Sequence, residues 1–598
     1  MKKLLYILLF TATLTSCKKG FLDRYPQTEV SPQLFFNTES DLSMYVNGML
    51  DLTGSGLYVN GTGQSTDNYA TTGQVYFKAV LAGTTTSQNT PNFWTWGGLR
   101  TINYFLENYS RAQVPDAVKN HYAGLARYYR AKFYMNKVLT YSDAPWYGKT
   151  LNPDDSTALY MTQSPRTLII DSIMNDLEFA ATNVRENVPA ATPGLYAVKT
   201  IYARFALYEG TYRKYHPELN LQHTANKYFE LAKKQSDEII TANKFSLAAS
   251  YASLFNNQDL STVKEVILNN PYDVAKGKSS GIGNFNIFGL YEQSPARDLV
   301  QTYLKKDGTR FTDLPGYKQM LYVQEFADRD PRLSATIAPP GFTLVQSATP
   351  YVSEFSTNFT GYHQIKGYIN TTDNNVINNT DIPVLRYAEV LLTYAEAAAE
   401  LGTASQSDID RSVNLLRARV SMPPLNVAAA NANPDPVLAA DYPNVSGVNK
   451  GLILEIRRER RVEFALEGTY RFEDLMRWAA GKLFEKRATG MYFPGPGNYD
   501  LTGDNIADIK LVTNATTIPP AAQREKNELG VTLIYYKMGS YGQAGSGTYF
   551  ENGDSGGQIV TVNPSTVRTF VEPKYYYMPI PFSQTTMNPN LKQPFGWQ

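Results

Sequence analysis

Val118, Tyr122, Leu125, Tyr129 and Phe133 recur at gaps of 4, 3, 4 and 4 residues, with Arg127, Arg130 and Lys137 elsewhere around the cylinder. A stripe of that period is the apolar face of an amphipathic α-helix, and such a face has to be buried against a neighbour. Similar stripes follow in Ile201, Phe205, Tyr208 and Tyr212, and in Tyr228, Leu231, Gln235 and Ile239. Asp171, Ile173, Leu177 and Ala180 belong to a further helix. Helices resume over Arg386–Leu401, where Tyr387, Val390, Leu391, Tyr394, Ala398 and Leu401 share one face. They continue through Asp408–Val420 and Leu452–Glu467 and end near Leu483.

Helices of this kind, rich in Ala and Tyr and joined by short Pro- or Gly-bearing turns, predict a mostly α fold. Its scaffold is stacked tetratricopeptide-like hairpins, without a strict 34-residue repeat. Around them the sequence reads as long irregular loops and a few short strands. Residues 54–95 are rich in Gly, Thr, Asn, Gln and Tyr, and 246–380 are punctuated by Pro295, Pro315, Pro331, Pro339 and Pro340. The last hundred residues have no helical period and are expected to wrap over the surface.

The 598 residues carry 56 basic and 55 acidic side chains, a formal net charge of +1. So even a balance excludes a polyanion held by bulk charge, and no nucleic-acid partner is expected. One Cys and four His leave no internal disulfide and little material for a zinc site. No cofactor is expected; loop carboxylates could hold calcium, but no spacing identifies such a site.

That single Cys, Cys17, follows Lys2-Lys3, the apolar run Leu4–Phe10 and a stretch of small residues. This is the order of a secretory signal peptide, too short for a membrane span of about 20 residues. Leu14-Thr15-Ser16-Cys17 resembles a bacterial lipobox, so Cys17 is the expected lipidation site and the membrane anchor. The division that follows is 1–16 signal peptide, 17–40 lipidated tether entering a first helix near Asp41, and 41–598 one domain. Within that domain, 41–270 forms the helical-hairpin part and 271–598 the part with ligand-side loops and closing helices.

Several motifs together resemble the SusD/RagB family of outer-membrane lipoproteins. They are Cys17-Lys18-Lys19-Gly20-Phe21-Leu22-Asp23, Arg100-Thr101-Ile102-Asn103 after Trp96, Arg329-Asp330-Pro331-Arg332-Leu333, and Arg386-Tyr387-Ala388-Glu389-Val390. The longest is Arg457-Arg458-Glu459-Arg460-Arg461-Val462-Glu463-Phe464 with Glu467-Gly468, then Arg471-Phe472-Glu473-Asp474-Leu475-Met476-Arg477-Trp478. Met578-Pro579-Ile580-Pro581, Asn588-Pro589-Asn590-Leu591 and Gly596-Trp597 close the series. The resemblance implies a non-enzymatic glycan-binding lipoprotein facing outward at the cell surface. It would capture oligosaccharide and hand it to a SusC-like TonB-dependent outer-membrane transporter. Lys18-Lys19 depart from the acidic residues such surface lipoproteins often carry after the lipidated Cys.

In the run 457–467 the glutamates interleave with the arginines at one-turn spacing, Glu455 with Arg458 and Arg460 with Glu463. Arg471, Asp474 and Arg477 are placed to join them, so the motif reads as a charge network pinning two helices. Sugar recognition needs flat apolar faces beside planar amides and carboxylates. Most tyrosines fall on helical stripes and read as core, which leaves the loop aromatics as candidates. They are Tyr69, Tyr76 and Trp94 (with Tyr58), then Phe288, Tyr291 and Tyr322 (with Tyr317). Asp67 and Asn68 beside Tyr69 supply polar partners, although the pair would equally make an ordinary turn. Two other classes stay open at this level. A glycoside hydrolase would need two facing carboxylates, and Asp154-Asp155 and Asp328/Asp330 are the visible acidic pairs. A peptide-binding helical scaffold would need none of the loop rings.

Overall fold

The computed structural model describes residues 35–51, 65–73, 75–280, 293–345, 347–368 and 379–598. The signal segment, Cys17, Tyr58, Phe288 and Tyr291 lie outside the described residues. The first helix, α1 (Glu39–Asn47), opens on a reciprocal cap: Asp41 N donates to Thr38 Oγ1 at 3.2 Å, and Thr38 N to Asp41 Oδ2 at 2.8 Å. After it come β1 (Tyr69–Thr71), α2 (Tyr76–Leu81), α3 (Gly97–Asn108), α4 (Asp116–Tyr141), α5 (Arg166–Asn183), α6 (Leu195–Tyr215) and α7 (Ala225–Ala242). The middle of the chain gives β2 (Val266–Asn270), β3 (Gln293–Pro295) and β4 (Ile382–Arg386), which leads directly into α8 (Tyr387–Glu400). Then follow α9 (Gln406–Asp410), α10 (Val413–Arg419), α11 (Lys450–Glu463) and α12 (Tyr470–Arg477).

The helices stack in series: α3 on α4, α4 on α5, α5 on α6, α6 on α7, α7 on α8 and α8 on α11. This is the stacked-hairpin scaffold, and the expected stripes form its core. Tyr129, Ile173, Leu177, Ile201, Tyr208, Tyr212, Tyr228 and Ile239 are all buried. Two helical glycines let neighbours approach. A methyl group on Gly210 of α6 would meet the Phe229 ring of α7 at 2.7 Å, and one on Gly124 of α4 would meet Val184 at 2.8 Å.

Three readings of the sequence change. The 54–95 region contains α2 and β1, and β1 pairs antiparallel with β3, Tyr69 opposite Pro295. The helix was hidden because it is six residues long and has no side-chain cap on Val75. The expected Asp408–Val420 helix is two pieces, α9 and α10, interrupted at Arg411–Ser412. The final hundred residues are not bare loop either. They contribute β7 (Ile509–Val512) and β8 (Ile534–Lys537), which join β6 (Gly497–Tyr499) in one sheet, and β9 (Gly557–Val560), which pairs with β5 (Thr489–Phe493). A short helix, α13 (Phe582–Met587), comes last.

α11 is the polar centre of the molecule. Its residues from Gly451 to Glu463 are all buried, arginines included. Glu463 receives Arg386 at 2.6 Å, Arg419 at 2.6 Å and Arg332 at 3.2 Å. Arg417 and Arg332 bind Glu459 at 2.6 and 3.1 Å. Asp474 of α12 is bound by Arg460 at 2.9 Å and Arg477 at 2.8 Å, so the expected pinning of two helices is realised. Arg460 takes Asp474 and Glu396 as partners and not Glu463, its neighbour one turn along. Burial opposes ionisation of Glu463, but the guanidiniums of Arg419, Arg386 and Arg332 outweigh it and hold the carboxyl well below its usual range. Arg457 is different. Its guanidinium lies 4.5–4.9 Å from the ring centres of Trp478, Tyr442 and Tyr215, and none of its three nitrogens has a hydrogen-bond partner.

Among the described residues no helix is long and apolar enough to cross a membrane, and no group of three or more His, Cys, Asp or Glu is placed to hold a metal ion.

Candidate functional site

Four residues of α4, Phe133, Asn136, Lys137 and Thr140, recur at the i, i+3, i+4, i+7 spacing of one helix face. They line a cavity of about 510 Å3. α6 adds Tyr208 and Tyr212, one turn apart; α12 adds Phe472, Glu473 and Met476, with Thr469 just before it. Tyr76 and Phe77 of α2, the residues Asn92, Phe93 and Thr95, Leu139 of α4 and the C-terminal residues Tyr575, Tyr576 and Met578 complete the wall. The C-terminal strap is tied to α4, since Met578 N donates to Thr140 O at 2.8 Å.

The lining is mainly aromatic with polar groups at intervals. Phe93 is 45% exposed and meets Tyr76 edge-on, ring centres 5.9 Å apart. Phe133, Phe472 and Tyr76 are half-buried; Asn92, Asn136, Thr95 and Thr469 are exposed. Burial pushes the Tyr76 phenol up to about 12, so it stays a neutral donor at any physiological pH. Among the described residues Glu473 is the one carboxylate of the lining, bound by Tyr208 Oη and Thr469 Oγ1, both at 2.6 Å. Lys137 is its one ammonium, donating to Phe93 O at 2.5 Å. Such a surface can take the C–H faces of sugar rings on Phe93, Tyr76 and Phe133 while amides and hydroxyls meet the sugar's own hydroxyls.

The residues picked from the sequence divide sharply. Tyr76 lines the cavity. Asp67 and Asn68 face inward: Arg471 Nη2 and Nε bind Asp67 at 2.6 and 2.8 Å, and Arg461 Nε donates to Asn68 Oδ1 at 2.8 Å. Two guanidiniums of the arginine motif need a counter-charge, and this segment supplies it from the other end of the chain. Tyr69 is buried in β1. Trp94 packs edge-on against Tyr141 at 4.8 Å and Trp96 at 5.4 Å. Tyr322 is buried, its hydroxyl donating to Ala338 O and its ring against Phe326. None of these four residues, nor Asp67, offers a surface in the described structure on which a sugar could stack. Phe288 and Tyr291 lie outside the described residues, and Tyr317 lines a separate cavity of about 50 Å3, room for one or two waters.

Sequence reasoning missed Phe93, Phe133, Lys137 and Phe472. One signal was available: Phe93 and Trp94 are adjacent in a non-helical segment, where neighbouring side chains face opposite ways, so one ring must be out if the other is in.

Buried polar contacts hold the cavity's near wall. Asp67 and Asn68 are gripped by α11 and α12, and Lys78 Nζ then ties α2 back to Thr71 O at 2.8 Å and Gly73 O at 2.7 Å. Arg461 and Arg471 therefore help position Tyr76 from outside the cavity, while the same motif sends Phe472, Glu473 and Met476 into its lining.

Comparison with known proteins places this architecture. The model described as the SusD family matches residues 264–597. Among curated proteins, the SusD-like protein P38 of Formosa agariphila is 22% identical over 493 residues, 79% of this chain and 90% of its own. The SusD-like protein P2 of the same organism is 23% identical over 549 residues, 86% of this chain and 98% of its own. Among solved structures, a SusD-like carbohydrate binding protein from Bacteroides fragilis superposes with a TM-score of 0.68 at 21% identity, covering 93% of this chain and 100% of its own. A second SusD-like protein from that species gives 0.66 at 19%, covering 96% and 100%.

Proposed function

The chain belongs to the SusD family, and on that premise we propose that it is a glycan-binding lipoprotein of the outer membrane, which captures oligosaccharide at the cell surface without cleaving it. In this reading Cys17 carries the lipid anchor, residues 41–598 act as one SusD-like domain, and captured sugar passes to a SusC-like TonB-dependent transporter. The observation that carries the reading is the ring-lined cavity of about 510 Å3 with Phe93 at its rim. The family match supports it, as does a structural relative described as a carbohydrate binding protein. Hydrolysis of a glycosidic bond uses two carboxylates flanking the bond, and the lining of this cavity supplies one, Glu473. A shallow site gives modest affinity, and tethering beside a transporter raises its effect by keeping the ligand at high local concentration.

Calorimetric titration of the purified chain with a panel of oligosaccharides tests the reading. Saturable heat with at least one glycan and no shorter products is the expected result. Release of shorter sugars, or binding of peptides and no glycan, would overturn it. For the anchor and partner, palmitate labelling that disappears in Cys17→Ala and co-purification of a large β-barrel with the native protein are the corresponding expectations.

A further inference from the structure

Lys137 sits among rings where a lysine is expensive to keep. The residue is 5% exposed, and its ammonium lies 5.1 Å from the ring centres of both Trp96 and Phe133. Its one hydrogen-bond acceptor among the described residues is the Phe93 carbonyl, and no carboxylate lies within ion-pair distance of it. The contrast with the arginine-rich core is plain, because Arg332, Arg386, Arg417, Arg419, Arg460 and Arg477 all have carboxylate partners. A buried unpaired cation is destabilising unless something anionic arrives. The aromatic faces offset part of that cost and cannot replace a counter-ion. Two ammonium N–H groups remain without a protein acceptor, on a residue that lines the cavity.

We propose that the cavity takes an acidic saccharide, whose negatively charged substituent (a uronate carboxylate or a sulfate ester) is bound by Lys137 while its ring rests on Phe93 and Tyr76. This deepens the glycan-binding reading and rests on it. Glu473, the single acid of the lining, is already engaged by Tyr208 and Thr469, so the lysine is the charge left over for a ligand.

Burial lowers the Lys137 ammonium to about 8. The titratable groups lining the same cavity are Glu473 and the phenols of Tyr76, Tyr208, Tyr212, Tyr575 and Tyr576. Burial raises all five phenols, so none of them loses its proton where the lysine does. Lys137 is charged below about pH 8 and neutral above it, so an acidic ligand is held at pH 7 and released as pH rises. A site competent only when protonated loses affinity in proportion to the charged fraction, roughly tenfold between pH 7 and pH 9.

The test is calorimetry on the full chain with matched probes: oligogalacturonate, a sulfated galactan oligosaccharide, and a neutral galactan oligosaccharide of the same length. At least one acidic probe is expected to bind tenfold or more tighter than the neutral one at pH 7. That advantage should fade toward pH 9 and vanish in Lys137→Met. An unchanged far-UV circular dichroism spectrum and cooperative thermal unfolding show that Lys137→Met is folded, and the wild-type pH series needs no variant at all. Neutral sugars binding as well as acidic ones at pH 7, or acid binding that is flat from pH 7 to pH 9, would overturn the proposal and leave the glycan-binding reading standing. No binding of any saccharide removes both.

Discussion

The charged knot around α11 and the ring-lined cavity beside α4 lie a few residues apart along α12, yet they are built on opposite principles. In the knot, ionised groups are buried deeply and matched: Glu463 has three guanidiniums, and Asp67, Glu396, Glu459 and Asp474 each have two. In the cavity there is one ammonium and one carboxylate, each on its own, and the remaining wall is mostly ring and hydroxyl. The lesson is that the arginines and acids most recognisable in the sequence hold the scaffold in register, while the rings able to meet a ligand come from scattered parts of the chain, with only Phe472 drawn from the arginine motif. A matched buried pair adds little net stability over an apolar substitute, but removing one partner strands the other at a cost of several kcal/mol.

Acid should expose the difference most strongly. The carboxyls of Asp67, Glu396, Glu459, Glu463 and Asp474 are opposed by burial, but their arginines prevail and all are held below their ordinary range. Their stabilisation is therefore present above the unfolded carboxylate pKa of about 4 and is lost as pH falls through the lower folded values. Glu265, raised by burial, works the other way and at higher pH: its ionised form is destabilising, and that cost is relieved as pH falls through its raised folded value toward the unfolded one. Thermal unfolding followed by calorimetry should show Tm dropping steeply below about pH 4. A Tm flat from pH 6 to pH 3 would mean that the knot is not charged as described.

The next largest effect is expected for Glu463→Gln, which leaves three guanidiniums short of their shared partner. Denaturant unfolding should report a loss of about 3–5 kcal/mol, and a change under 1 kcal/mol would break the comparison.

Phe93→Ala addresses the other region. Covering about 50 Å2 of ring at roughly 25 cal/mol per Å2 is worth about 1.3 kcal/mol, close to tenfold in Kd. Because the ring is nearly half exposed, stability should move by no more than about 0.5 kcal/mol. Titration and denaturant unfolding on the same preparation would separate the two.

Arg457→Met should do least. Surrounded by Trp478, Tyr442 and Tyr215 and nearest to a carboxylate at 3.8 Å, this arginine strands no close partner when removed. A stability change within about 1 kcal/mol is expected, against several for Arg460→Met, which would leave Asp474 with Arg477 alone.

Helical stripes were readable because 3.6-residue periodicity is a local property, and the tyrosines on α4, α6 and α7 went to the core as their spacing implied. The charge network was readable in kind, since interleaved Arg and Glu at one-turn spacing have nowhere to go but each other. Its partners were not readable: Arg471 reaches Asp67 some 400 positions earlier in the chain, and Arg460 passes over Glu463 for Asp474. That long-range pairing is also why Asp67-Asn68 looked like an exposed polar turn beside an aromatic and proved to be an anchor. The cavity escaped notice for the same reason, because Tyr76, Phe93, Phe133, Phe472 and Met578 converge only once the hairpins have stacked. Of the loop aromatics chosen from the sequence and described here, Tyr76 alone among Tyr69, Tyr76, Trp94 and Tyr322 reaches that cavity.

The central claim is that ligand is held at the Phe93 cavity and scaffold at the arginine knot. Calorimetric titration of one binding oligosaccharide into the wild-type chain and into Phe93→Ala tests it most directly. The account predicts uncleaved sugar, one-to-one saturation in the wild type and near-tenfold weaker binding in the variant. Identical affinity in both proteins, with the fold intact, would place the sugar elsewhere and contradict the account.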